Sequence, residues 1–473
     1  MRRQIQKKLP VIILWLLPLT TVFGQSVDLG YNTLAGTNNK LPFWLWANQL
    51  GHFDANSSTV QNLELRAFHN QQLSNTDFTV EAGLDLDLLL ADKNDLRFTQ
   101  LFAGFNWKFL QLQIGAFPDE ERFAGLSTSN GNMAASLNAR PHPRIRMGFN
   151  RFVPLIGNWF SIKGFYEEGL LNDKRYVEDT HLHRKAFYLR FGQPQSIELT
   201  AGLEHFVMWG GTHPEYGELQ DWSSYFDYIS GSAGDENALP TDQENVLGNG
   251  YGVYQLQLKK AWEKIHATLY VSHPFDDRSG MQLDNAVDNL WGLHLAFQNR
   301  EALLQNLVLE FINTKNQSGT YHLVPDENGV PQGHGRDNYY NHGVYRSGVT
   351  YGQMAMVSPL FAPVIIDDGM SKGFESTRFT GFHLAANGQL TKAIYWKSAL
   401  TYTANYGFHD GQGGSTYDPA RRQASALGQL KWKPIDKKIS IAAALAADHG
   451  SLYDNGENKT RLGAMLSLNY SIK

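Results

Sequence analysis

The 473 residues include no cysteine, which excludes a disulfide framework, a zinc–thiolate cluster, a thiol nucleophile and a lipid-bearing N-terminal cysteine together. Charge is also sparse, with Asp, Glu, Lys and Arg making up 18% of the chain. The balance of 41 basic against 46 acidic residues, a formal net charge of −5, lacks the basic excess that marks a nucleic-acid binder. Beyond Gln25 no apolar run reaches the ~18 residues of a membrane-spanning helix. The nearest, 354–366, is broken by Pro359 and Pro363. The nucleophile elbow G-x-S-x-G, the zinc-protease pattern H-E-x-x-H and the P-loop are all missing. What remains is 44 glycines and an aromatic content of 12%. A disordered chain would show few aromatics and much charge. Low charge, many glycines and many rings without a long apolar helix fit a transmembrane β-barrel.

The N-terminus reads as an address. Arg2, Arg3, Lys7 and Lys8 precede an apolar run from Leu9 to Phe23, and Gly24 stands just before Gln25. A basic segment, an apolar core and small residues at the exit make a cleavable export signal over residues 1–24. Fifteen residues containing Pro18 are too few for an anchor of ~20. The mature chain, 25–473, is then expected as one barrel domain, since no Pro- or Ser-rich linker divides it.

Period-two alternation recurs along that chain. Phe78, Val80, Ala82, Leu84, Leu86 and Leu88 alternate with Thr79, Glu81, Gly83, Asp85 and Asp87. A helix would smear both sets around its circumference, whereas a strand puts one set on each face. The same pattern runs through Ile265–Val271, Trp291–Phe297, Trp396–Tyr402, Ile439–Leu445 and Leu462–Tyr470. The polar faces hold Asp, Glu, Gln and Asn, as a hydrated lumen tolerates. Trp107, Trp262, Trp291, Trp396, Trp432 and Tyr470 sit at segment ends, where interfacial girdles belong.

Connection lengths sharpen the reading. Strands are expected near 60–70, 78–90, 96–105, 109–116, 143–152, 159–167, 186–191, 197–205, 251–260, 265–271, 289–298, 305–314, 377–389, 395–405, 423–432, 438–447 and 461–471. Connections then alternate between brief turns on the side of the termini and long loops opposite, the outer-membrane arrangement; only 91–95 is short on the long side. Seventeen strands need a partner for even parity, and an eighteenth is expected near 41–52. The fold expected is an all-β, transmembrane antiparallel barrel of eighteen strands whose long extracellular loops occlude the lumen.

Loops are where function concentrates. The stretch 206–250 holds Trp209, Tyr216, Trp222, Tyr225, Phe226 and Tyr228 among Glu215, Glu218, Asp221 and Asp227. The stretch 315–376 holds Tyr321, Arg336, Asp337, Asn338, Tyr339, Tyr340, Asn341, His342, Tyr345 and Arg346. Aromatic faces suit the C–H faces of sugars while polar groups fix hydroxyls, so a carbohydrate site is expected on Trp209, Trp222, Tyr339 and Tyr340 with Arg336 and Asp337 as orienting groups. The competing reading packs these rings against one another as a lid. His181 and His183 would share a strand face and so permit a metal, although hydrogen bonding to neighbouring carboxylates accounts for them as well. No catalytic set, cofactor or metal site is expected.

Several blocks resemble the Wzi-type capsule assembly proteins of Gram-negative outer membranes. They are Asn39-Lys40-Leu41-Pro42-Phe43-Trp44-Leu45-Trp46-Ala47-Asn48-Gln49, Asn138-Ala139-Arg140-Pro141 with Pro143-Arg144-Ile145-Arg146, Gly202-Leu203-Glu204-His205-Phe206 with Trp209-Gly210-Gly211, Thr314–Gly319, and Asp337-Asn338-Tyr339-Tyr340-Asn341-His342-Gly343. The resemblance implies a plugged, eighteen-stranded, non-enzymatic surface lectin that anchors capsular polysaccharide or exopolysaccharide; the barrel is expected to sit in outer-membrane lipid as a monomer. The rivals are an outer-membrane channel or glycan-uptake porin and, more remotely, an outer-membrane hydrolase. Only residues 25–59 precede the first clear strand, too few for a large periplasmic helical bundle like that of the better-known enterobacterial members, and the chain ends Tyr470-Ser471-Ile472-Lys473 rather than in the aromatic residue expected of a barrel-insertion signal.

Overall fold

A computed structural model of the chain describes residues 26–73, 76–91, 94–193, 195–219, 222–231, 247–276, 278–325, 329, 331–412, 414–435 and 437–472. The expected export signal, 1–24, and Gln25 lie outside the described residues.

Eighteen barrel strands follow one another in chain order: β1 Ser26–Gly36, β2 Thr59–Gln72, β3 Phe78–Leu90, β4 Asp95–Trp107, β5 Leu110–Ala116, β6 Pro143–Phe149 continued by Val153–Ile156, β7 Phe160–Leu171, β8 Thr180–Gly192 and β9 Ile197–Trp209. The second half is β10 Asn249–Ala261, β11 Ile265–Phe275, β12 Asn289–Phe297, β13 Asn306–Asn313, β14 Arg378–Thr391, β15 Ile394–Gly407, β16 Arg421–Trp432, β17 Ile439–Gly450 and β18 Lys459–Ser471. Every neighbour pair is antiparallel, and β1 closes the ring on β18 from Asp28↔Ser471 to Gly36↔Gly463. Closure gives every strand a hydrogen-bonded neighbour on both sides, so the wall's backbone groups pair within the sheet rather than with water, the condition that lipid imposes.

The distribution of polarity is inverted relative to a water-soluble protein. Leu445, Leu462, Phe382 and Leu269 are more than half exposed, while Asn62, Asp87, Glu204, Glu310 and Asn405 are buried. Outward apolar residues alternate with inward polar or small ones along most strands, the signature of a wall with lipid outside. On β3 the phase is the expected one, with Leu84 outward and Asp85 and Asp87 inward. Trp107, Trp262, Trp432 and Tyr470 stand exposed at the short-turn end, and Trp291 at the other. Two inward glycines, Gly202 and Gly292, leave room for the rings of Tyr188 and Tyr270 lying across the neighbouring strand; a Cβ would collide with either.

The eighteenth strand is not where it was expected. It is β1, whose outward set Leu29, Tyr31, Thr33 and Ala35 is too mixed to stand out by pattern. Residues 41–52 instead form part of an inward-folded loop with a short helix, Phe43–Trp46, all four residues of which are buried. The run Leu41-Pro42-Phe43-Trp44-Leu45-Trp46-Ala47 is apolar on every side, so it needs burial all round, and a wall strand buries only one face in protein. The helix packs against β16, β17 and β18 from within, with the Phe43 amide donating to Asp448 Oδ2 at 2.9 Å and Trp44 Nε1 to Thr401 Oγ1 at 3.2 Å.

Two further loops fill the lumen. Segment 117–142 crosses it: Ser127 Oγ and Thr128 Oγ1 each donate to Glu310 on β13 at 2.6 Å. The same segment places Asn132 Nδ2 2.9 Å from Glu204 on β9 and the Met133 amide 3.1 Å from Ser272 on β11. Segment 314–377 packs above it, contributing Tyr339, Tyr340, Tyr345, Tyr351, Phe361 and Phe374 to a single apolar core shared with the helix and loop 117–142.

Candidate functional site

The wall and plug meet in a compact charge network. Asp119, on the crossing loop, receives Arg146 Nη2 and Arg184 Nη1, each at 2.6 Å. Arg184 Nη2 also reaches Glu204 Oε2 at 2.6 Å, and Arg146 reaches Glu167 Oε2 at 2.6 Å. Arg144 joins Glu167 at 3.4 Å and donates to the Phe117 carbonyl. Three guanidinium groups thus face three carboxylates. Burial would raise the Asp119 carboxyl, but Arg184, Arg146 and Arg144 outweigh it and hold the group well below the ordinary carboxylate range. Beneath the network a cavity of about 890 Å³ runs to the short-turn end, lined by Arg66, Glu81, Lys163 and Glu198 with Phe68, Phe149 and Phe152.

The six residues expected to hold a glycan do not form one surface. Trp209 ends β9 with none of its area exposed. It stacks on His181 with centroids 4.4 Å apart and meets Trp222, Tyr225 and Tyr228 edge-on or tilted. With Val207, Tyr228 and Leu247 it makes a small cluster apart from the main core. Tyr339 and Tyr340 are equally buried. The Tyr339 hydroxyl donates to Asp288 Oδ2 at 2.9 Å and accepts from Asn285 at 2.6 Å, and Tyr340 packs edge-on against Phe361 and Tyr251. Trp209, Tyr339 and Tyr340 therefore offer no ring face to an external polymer, which corrects the expectation for these three. Packing explains it, because a large ring in a closed loop bundle gains more from burial than from exposure to water. For these rings the lid reading is the correct one.

Trp222, by contrast, is 59% exposed. Arg336 is exposed and lies over the Tyr321 ring, 5.7 Å from its centroid. Asp337 is half-buried and accepts from Ser318 Oγ at 2.7 Å. Other rim residues join rings to charge more closely. Tyr216 is exposed and stacks on His213 at 4.4 Å. Tyr176 donates to Glu215 Oε1 at 2.8 Å, with Arg346 4.8 Å and Lys372 5.0 Å from its ring centroid. Tyr216, Glu215, Arg346 and Lys372 fall within the loops singled out by sequence; Tyr176 lies outside them, and its pairing with Lys372 carries no sequence signal because the two are separated by nearly 200 residues.

His181 and His183 do share a face, as a strand dictates. His183 Nδ1 lies 2.5 Å from Glu168 Oε1 and His181 stacks on Trp209, so both are engaged by neighbours. The blocks Asn138–Arg146 and Gly202–Phe206 supply plug–wall contacts described above rather than the exposed rim, and in the block Asp337–Gly343 Tyr339 and Tyr340 are buried while Asp337 stays at the rim.

The family model of the capsule assembly protein Wzi matches residues 44–362. No curated protein matches the sequence significantly. Among solved structures, the outer-membrane protein Wzi of Escherichia coli, involved in group 1 capsule assembly and described as a carbohydrate-binding β-barrel, aligns with a TM-score of 0.57 and 12% identity, over 96% of this chain and 86% of that one. OprD of Pseudomonas aeruginosa aligns at 0.48 with 9% identity over 94% and 93%. OccK5 (OpdH) of the same organism aligns at 0.47 with 10% identity over 94% and 97%.

Proposed function

The chain belongs to the Wzi capsule assembly family, and from that premise we propose that it is a non-enzymatic, lectin-like protein of the outer membrane that holds capsular or exported polysaccharide at the cell surface. In this reading residues 1–24 are removed on export, the barrel is a monomer in outer-membrane lipid, and the long-loop end faces outward. The observation that carries the reading is the filled lumen. Loops 37–58, 117–142 and 314–377 are tied to the wall by buried ionic and hydrogen-bonded contacts, the last through the Thr314 hydroxyl donating to the Phe379 carbonyl of β14, so a long polymer is left the rim rather than a through-path. That also weighs against the channel or porin alternative. On the rim, Trp222, Tyr216 and Tyr176 supply ring faces, while Arg336, Asp337, Glu215 and Arg346 supply charge-assisted hydrogen bonds to hydroxyls or acidic groups.

The test is a deletion strain complemented with single variants, with surface-bound and shed polysaccharide measured at matched levels of folded barrel. Trp222→Ala and Tyr216→Ala should each shift polymer from bound to shed. Arg336→Ala should shift it further for an acidic glycan. If deletion leaves the distribution unchanged the function is wrong; if deletion matters and none of these variants does, only the residue assignment fails.

A further inference from the structure

Loop 37–58 brings one imidazole to the barrel wall in an arrangement that glycan binding does not use. His52 Nδ1 lies 2.8 Å from Asp87 Oδ2. Asp87 is wholly buried and also receives Asn62 Nδ2 at 2.7 Å and the Thr99 hydroxyl, so it is committed to fixing the ring. The other ring nitrogen, Nε2, has no hydrogen bond among the described residues. It faces Asp85 Oδ2 at 3.6 Å and Glu64 Oε1 at 3.8 Å. Asp85 is 2% exposed, and its Oδ1 has no hydrogen-bond partner. One donor atom from each of His52, Glu64, Asp85 and Asp87 lies within 4.8 Å of each of the others.

We propose that His52 Nε2, Asp85 and Glu64 bind a divalent cation of the Zn²⁺ or Mn²⁺ type, with Asp87 as the carboxylate behind the imidazole. A histidine that ligates a metal through one nitrogen gives its other N–H to a carboxylate, which sets the tautomer and the ring angle; Asp87 stands in that position. Donor separations of 3.6 and 3.8 Å are close to the ~3.4 Å between ligand atoms of a tetrahedral zinc site. One imidazole with two carboxylates suits zinc or manganese, whereas calcium prefers oxygen alone and soft ions prefer thiolates. Charge points the same way. Three buried carboxylates face two guanidinium groups, Arg66 at 3.0 Å from Glu64 and half exposed, and Arg97 opposite Asp87 on β4, so the cluster keeps an acidic excess that a bound cation offsets. Asp85 and Arg66 line the cavity that opens at the short-turn end, which gives the ion a path and a place for a water ligand. The consequence is structural: Glu64 belongs to β2, Asp85 to β3 and His52 to the inward loop, so the ion clamps the loop carrying Phe43–Trp46 to the wall.

The experiment is calorimetric titration of ZnCl₂, and separately MnCl₂, into chelator-stripped full-length barrel in detergent, with metal content measured after dialysis. One ion per chain is expected. Asp85→Asn and Glu64→Gln should each weaken binding at least tenfold, Asp87→Asn by ~10–100-fold, and the exposed control His449→Ala not at all. The parent's heat-unfolding midpoint should rise with metal, and that of the two ligand variants should not. Folding is checked by gel migration with and without boiling; should Asp85→Asn fail to fold, Glu64→Gln decides. Binding of either ion with this dependence supports the site. No stoichiometric binding, or equal affinity in parent and Glu64→Gln, overturns it and leaves His52 as a protonated partner in an ion-pair cluster.

Discussion

Arg184 is the residue whose loss should loosen the plug most cleanly. It is 6% exposed and joins Asp119 of the crossing loop to Glu204 of the wall, with 2.6 Å contacts to each. Truncation to Ala leaves Arg144 and Arg146 against Asp119, Glu167 and Glu204. Removing one partner of a buried pair strands the other charge, at a cost of about 3–5 kcal/mol. The lower end is expected here, because Asp119 keeps Arg146, and Glu204 keeps Asn132 at 2.9 Å, Gln255 at 3.0 Å and the Tyr188 hydroxyl. Arg184→Met combined with Glu204→Gln removes the stranded charge along with the pair, so the double variant should recover ~1 kcal/mol or more over the sum of the singles. Urea unfolding of barrels refolded into vesicles, read by gel migration without boiling, supplies the free energies. Limited proteolysis of 117–142 reports the loop itself. Additive single costs would refute the coupling, and an Arg184→Ala barrel as stable as the parent would refute the whole account of the plug.

The remaining expectations are simpler to state. Leu84→Arg puts a charge on the lipid side of β3 and should cost about 2–4 kcal/mol if it lies near the bilayer midplane; refolding yield into vesicles checks it, and full tolerance would mean that this face meets water. Acid should weaken the plug. Burial, with Arg144 beside it, pushes the His142 imidazole down to about 3, so the unfolded chain takes up that proton first and stability drains as pH falls from ~6.5 toward that value. Asp119, held low in the fold, adds a loss that begins as pH drops below ~4. Urea midpoints at pH 7.5, 5 and 3.5 should fall in that order, and a rise on acidification would contradict both assignments. Trp222→Ala separates two roles for an exposed ring: lost polysaccharide retention at unchanged heat stability marks a platform, while lower heat stability with normal retention marks a cover over Trp209.

What the sequence determined by itself is the wall. Period-two alternation is a local property, set by the pleat, and it fixed which face of β3, β11, β12, β17 and β18 meets lipid; alternating connection lengths then fixed parity and the end at which long loops gather. Only β1 escaped, because Gly30, Thr33 and Ala35 blur its two faces. The tertiary structure decided everything inside. Whether Tyr339 is a platform or a core residue depends on Asp288 and Asn285, some fifty positions away, and no local pattern encodes that distance. Asp85 and Asp87 were legible as lumen acids, yet their partner His52 arrives on a loop read as strand. Alternation reports one neighbour, the solvent on each face, whereas a plug is built from contacts between segments far apart in the chain, which exist only once the barrel has closed around them.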